Sequence, residues 1–132
     1  VPLRFMASRL KMRHSVVVLS DVVDMLNNPE AVDFKLLRML ASKHDMMFFI
    51  LDDPEEFKVR SPLGYIRISD METGKQTVIS ARKAGAIRKE IEESREALQY
   101  ALKHRCGIDS VVLTPQNHHE ELPKFLVSRT AR

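Results

Sequence analysis

The chain has 132 residues, of which 44% are apolar and 30% are charged, and this composition is typical of a single soluble globular domain. Its formal net charge of +3 comes from 21 basic and 18 acidic residues, which is too weak and too mixed a field for a nucleic-acid-binding surface. The chain has no Trp and only 6% aromatic residues, so it also lacks the stacking groups that bind single strands.

The number of cysteines and the lengths of the apolar runs indicate the cellular compartment of the protein. Cys106 is the only thiol and cannot form an internal disulfide, which fits a reducing compartment. The longest apolar runs, 15–19 and 46–51, are far shorter than the ~20 residues that span a bilayer. We therefore expect a cytoplasmic chain with no membrane contact of its own, and leave open a membrane association of the parent protein.

The first half of the chain alternates helical periodicity with continuous apolar runs. The predicted elements are a helix closing at Arg13 or His14, a strand over 15–19 covered on both faces, a helix from Asn28 to about His44, and a strand over 46–51. Strand, helix and strand in this order predict a parallel unit.

The second half begins differently, because an alternating pattern, a Gly-containing turn and a returning strand predict an antiparallel hairpin inserted at about 63–80. The later predicted elements are a long helix from Ala81 to about Arg105 stopped by Gly107, a strand over 109–113, and a last helix that includes Leu122 to Leu126.

This order of elements predicts an α/β fold with a three-layer, doubly wound and mainly parallel sheet of the Rossmann-like kind. We expect residues 1–132 to form one partial domain. Because the first residue is Val1 and the opening segment reads as a helix already under way, we expect the chain to be a piece of a longer protein.

Polar residues follow each of the three predicted parallel strands, where ligand crevices of such sheets lie. The candidate rim residues are Ser20, Asp21, Asp24, Asp52, Asp53 and Thr114. Carboxylate and hydroxyl oxygens suit Mg²⁺. The same residue types also cap helices and form turns, and for any one of them that interpretation is the stronger.

Other reactive residues fit structural roles better than chemical ones. His118 and His119 are adjacent, so they point about 100° apart on a helix and make a poor zinc pair. His14, His44 and His104 fall near predicted helix C-termini, where a cationic ring is favoured. Cys106 has no base near it in sequence, and we expect a buried or inert thiol.

Four stretches, taken together, carry a family resemblance. They are 13–21 (RHSVVVLSD), 40–45 (LASKHD), 53–55 (DPE) and 70–74 (DMETG). In this order and spacing they resemble the bacterial domain-of-unknown-function family 58, from about Leu10 to Leu126.

That family resembles von Willebrand factor type A domains, so the resemblance implies that this chain is the C-terminal half of such a domain. Their metal-ion-dependent adhesion site uses an Asp-x-Ser-x-Ser loop, a Thr from a second loop and an Asp after the fourth strand. Only the last has a counterpart here, Asp21. The resemblance therefore implies a partial metal site, with no cofactor held by this fragment alone and Mg²⁺ in the full domain.

The resemblance also implies a partner, because members of this family are associated with MoxR-type AAA+ ATPases in chaperone-like assembly or regulation. The leading interpretation is a protein-protein interaction domain and not an enzyme. The open edge of the strand at 15–19 also predicts homo-oligomer formation. The alternative function is Mg²⁺-dependent phosphoryl transfer by Asp21, Asp52 and Asp53.

Overall fold

A computed structural model of the protein describes residues 2–53, 65–69 and 76–130. It shows a mixed α/β structure with a three-strand parallel sheet and, among the described residues, five α-helices. The chain divides into two compact units. The first takes the residues up to Asp52 and those from Glu96 onward, and the second takes Asp53–Arg95.

The elements follow one another in chain order as α1 (Pro2–Arg9), β1 (Ser15–Ser20), α2 (Val23–Asn27), a short 3-10 helix (Pro29–Ala31), α3 (Phe34–Lys43), β2 (Asp45–Leu51), β3 (Tyr65–Ser69), β4 (Gln76–Ser80), α4 (Ala81–Cys106), β5 (Asp109–Leu113) and α5 (His118–Thr130). None of the helices in the described stretches is both long enough and apolar enough to cross a membrane.

The sheet of the first unit has the strand order β1-β2-β5, and both pairs are parallel. Ser15 lies opposite Asp45 across the first pair, and Met47 lies opposite Asp109 across the second. The predicted parallel arrangement of these three strands is confirmed. Since parallel strands all run the same way, their three carboxyl ends share one edge of the sheet.

The core lies on one face of this sheet. Alternate strand residues point to the same face, and on this face they pack with apolar side chains of α3, α4 and the segment that follows α4. Its buried members are Val22, Leu37, Leu40, Met46, Phe48, Ile50, Leu98, Leu102, Cys106 and Ile108. On the opposite face, the ring of Phe125 in α5 contacts Phe49 at 6.0 Å between centroids.

β1 is not covered on both faces, and that prediction is wrong. Val16 and Val18 pack against the core, but Val17 is 47% exposed and Leu19 is 63% exposed. Among the described strands, β1 lies at an edge of the sheet, and the aromatic contact made by α5 on that face is with β2, not β1. The continuous apolar run therefore marks a half-covered edge strand.

The predicted helix boundaries hold for α4 but not for α1 or α3. Gly107 follows the last residue of α4 with φ 69°, the left-handed conformation that ends helices and suits Gly. α1 ends at Arg9, well before His14. α3 is capped by Asp33, whose Oδ1 accepts from the Leu36 N–H at 3.0 Å, whereas the predicted cap Asn28 precedes only the 3-10 helix.

In the second unit, β3 and β4 form an antiparallel pair in which Tyr65 lies opposite Ser80. The turn that was predicted between them falls on residues 70–75, which lie outside the described residues.

An ionic network ties two helices to the amino-terminal ends of two strands. Asp109, the first residue of β5, accepts from Lys103 of α4 at 2.6 Å and from Arg129 of α5. Arg129 also pairs with Asp45, the first residue of β2. The Asp109 side chain is only 9% exposed, so its charge depends on these partners for stabilisation.

We expect Asp109→Asn to lower the free energy of unfolding by about 2 kcal/mol, because it removes the buried charge that Arg129 and Lys103 neutralise. Urea denaturation followed by circular dichroism measures the change. Glu121→Gln is the control, since Glu121 pairs at 3.8 Å with a well-exposed Lys124 and should change stability by less than about 1 kcal/mol. Equal effects of the two variants would show that the network does not hold the helices.

Candidate functional site

The candidate site is the carboxyl edge of the parallel sheet, where β1, β2 and β5 end at Ser20, Leu51 and Leu113. The residues that follow are Asp21, Asp52 and Thr114. The Asp52 N–H donates to the Leu113 carbonyl at 2.9 Å. This bond extends the backbone pairing of β2 and β5 by one step and holds the start of the Asp52 loop against β5.

Ser20 and Asp21 form the turn between β1 and α2. Ser20 Oγ accepts from the Val22 N–H at 3.0 Å, and Asp21 Oδ1 accepts from the Val23 N–H at 3.1 Å. Both side chains therefore have the turn-forming role that such residues commonly have after a strand. The Asp21 side chain is nevertheless exposed, so its carboxylate is accessible from solvent.

Val22 has an unusual backbone conformation for its residue type. Its φ of 54° and ψ of 19° lie in the left-handed region, which a β-branched side chain rarely adopts. Such a conformation costs about 1–3 kcal/mol and persists only where the surroundings enforce it. Here the side chain is 2% exposed within the core, and its N–H is held by Ser20 Oγ.

Thr114 begins the turn that leads into α5. The Thr114 N–H donates to Asn117 Oδ1 at 2.8 Å, and the Asn117 N–H donates to Thr114 Oγ1 at 3.1 Å. This is a reciprocal arrangement of the capping-box type. Asn117 was not identified from the sequence. The available signal was the spacing of three residues between two hydrogen-bonding side chains, Thr114 and Asn117, just before a helix.

The other candidate carboxylates are placed as follows. Asp24 is exposed in the first turn of α2, where a negative charge complements the helix dipole. Asp52 is half-buried, and Asp53 is exposed and is counted with the second unit. Within residues 2–53, 65–69 and 76–130, no group of three or more His, Cys, Asp or Glu side chains is placed to hold a metal ion.

Of the remaining reactive side chains, Cys106 lies away from this edge, whereas His118 lies at it, with its Nδ1 3.2 Å from the Thr114 carbonyl oxygen. Cys106 is buried, as predicted, and its Sγ donates to the Phe34 carbonyl at 3.6 Å. Burial raises the pKa of the Cys106 thiol, although Arg105 and Arg38 act in the opposite direction. His118 and His119 are exposed in the first turn of α5 with their rings 5.7 Å apart. Both side chains are solvated at the start of this helix.

Comparison with protein families gives one match over most of the chain. The family model described as "Protein of unknown function DUF58" matches residues 1–100. The chain belongs to the DUF58 family. Comparisons with curated proteins and with solved structures gave no match. Membership in the DUF58 family confirms the family resemblance seen in the sequence, and the matched region includes both β1 and Asp21.

We expect Cys106 to be alkylated by iodoacetamide at pH 8 at least about tenfold more slowly in the folded chain than in urea, because burial raises the pKa of its thiol and restricts access. Mass spectrometry over time measures the two rates. Since a raised pKa keeps the thiol protonated, the rate in the folded chain should still be rising at pH values where the rate in urea has levelled off. Equal rates with and without urea would contradict the buried position.

Proposed function

We propose that this chain is part of a protein-protein interaction domain of the von Willebrand factor type A kind. In this proposal a partner binds along β1, and Asp21 is one ligand of a Mg²⁺-assisted contact. The observation that carries the proposal is the exposed apolar edge strand that ends next to an exposed carboxylate.

The edge itself has two features that partner chains use. Of the strands that the structure describes, only β2 pairs with β1, so a strand from another chain can bond to the outer backbone groups of β1. Val17 and Leu19 add exposed apolar surface on one face of the same strand. Backbone pairing supplies affinity, and these two side chains supply specificity.

The proposed metal contact rests on Asp21. Mg²⁺ needs about six oxygen ligands in near-octahedral geometry and often keeps several waters. Asp21 can offer one exposed carboxylate, so the other protein ligands must come from outside the described residues or from the partner. This agrees with what the resemblance to type A domains implies, in which the Asp after the fourth strand is one ligand among several.

For the partner we propose a MoxR-type AAA+ ATPase, because the resemblance to domain-of-unknown-function family 58 implies such a partner. A second copy of the chain could pair along the same edge, and it is the alternative outcome of the test. No specific observation favours the phosphoryl-transfer alternative, in which Asp21, Asp52 and Asp53 would act together.

We expect Leu19→Lys to weaken binding of a MoxR-type ATPase from the same organism at least about tenfold, because a charge on an edge strand opposes pairing and removes apolar contact. Titration calorimetry measures the affinity, and light scattering of the chain alone measures self-association. Val127→Lys is the control, since Val127 is equally exposed but lies on α5. Unchanged affinity in Leu19→Lys, or the same loss in both variants, would exclude β1 as the binding surface.

We expect Asp21→Asn, made in the full-length protein, to weaken partner binding to the level that wild type shows with EDTA in place of Mg²⁺. The Asn side chain keeps an oxygen that can accept from Val23 N–H, so the turn is retained while the charge is lost. Asp24→Asn is the matched control, because it lies in the same exposed segment. Wild-type binding that is insensitive to EDTA would remove the metal from the proposal.

A further inference from the structure

A cleft of about 430 Å³ lies at the opposite edge of the sheet from Asp21. It lies beside the two segments that connect α1 to β1 and α3 to β2. The residues that line it are Ala7, Leu10, Lys11, Met12, Arg13, Lys43 and His44. All of them belong to the first unit, and none belongs to the candidate site described above.

Three of the lining residues are cationic. Lys11, Arg13 and Lys43 are exposed, and no ion pair joins any of them to a carboxylate within the described ranges. Lys43 lies in the last turn of α3, where a positive charge also complements the helix dipole. Lys11 and Arg13 lie beyond the end of α1, so a favourable interaction with a helix dipole does not account for their positions.

His44 is the residue that distinguishes this cleft from an ordinary basic surface. It is 2% exposed, and its Nδ1 accepts from the His14 N–H at 3.1 Å. Because Nδ1 is an acceptor, the neutral ring must have its proton on Nε2. Nε2 is buried and has no hydrogen-bond partner among the residues that the structure describes. A buried donor without an acceptor is costly, and an acceptor brought by a ligand would remove that cost.

We propose that this cleft binds a small phosphomonoester. The phosphate would lie among Lys11, Arg13 and Lys43, and it would accept from the Nε2–H of His44 once it displaces the side chains that cover this buried nitrogen. The apolar side chains of Leu10 and Met12 would contact the organic substituent. A phosphomonoester has a charge of about −1.5 to −2 near neutral pH, which matches three cations better than a carboxylate does. The volume of the cleft lies within the usual range for small-ligand sites.

The first test uses phenyl phosphate as the probe and the 132-residue chain at low ionic strength. We expect saturable binding by titration calorimetry, with a shift of the His44 Nε2–H signal in ¹⁵N-resolved NMR spectra of the imidazole rings. Benzoate, which has the same ring but a single charge, should bind at least about fivefold more weakly. No saturable binding, or a bound state that leaves the His44 signal unchanged, would overturn the proposal.

The second test separates the cleft from general charge effects. Lys43→Gln and Arg13→Gln should each weaken phenyl phosphate binding at least about fivefold, which corresponds to the loss of one charge-assisted contact. Lys35→Gln is the control, because Lys35 is also exposed on α3 but does not line the cleft. Equal weakening by Lys35→Gln would overturn the site. Tighter binding of a phosphoserine peptide would overturn the assignment to a small molecule.

Discussion

The position of β2 is the constraint on which the rest of the first unit depends. β2 pairs with β1 on one side and with β5 on the other, and four of the five residues from Met46 to Ile50 are buried. A shift of its register by one residue would turn these side chains to the opposite faces of the sheet. It would also move Asp45 away from Arg129 and Asp52 away from the Leu113 carbonyl. The packing of β2 thus sets the positions of Asp45 and Asp52, at the two ends of the sheet.

The carboxyl edge and the amino-terminal edge of the sheet differ in the side chains that they carry. The carboxyl edge combines turn-forming oxygens with an apolar edge strand, which suits a protein surface. The amino-terminal edge has charged side chains. The Asp109 network binds the helices to the strands, and the cleft beside His44 has three cations that have no such partners in the part of the chain that the structure describes. The structural charges are paired around the buried Asp109, whereas the charges proposed to bind a ligand are exposed.

The sequence signals that succeeded were local and unambiguous. The apolar run of β2, the strand before Thr114 and the Gly107 stop of α4 each follow from a few neighbouring residues. The start of α3 could not be predicted in this way, because Asn28 and Asp33 are both good caps and only the second caps this helix in the structure. Arg129 and Asp45 are 84 residues apart, so no sequence pattern could join them. The unpartnered nitrogen of His44 likewise depends on a contact with the backbone of His14.

The strained conformation of Val22 has a consequence for the exposed carboxylate that precedes it. The peptide group between Asp21 and Val22 is anchored on one side by Ser20 Oγ and on the other by a side chain sealed in the core. The backbone of Asp21 is therefore restrained. Its conformational entropy in the folded chain is lower than that of an ordinary surface aspartate. A preorganised carboxylate loses little freedom on binding, so in the proposed metal contact the cost of holding Asp21 in place would be met during folding.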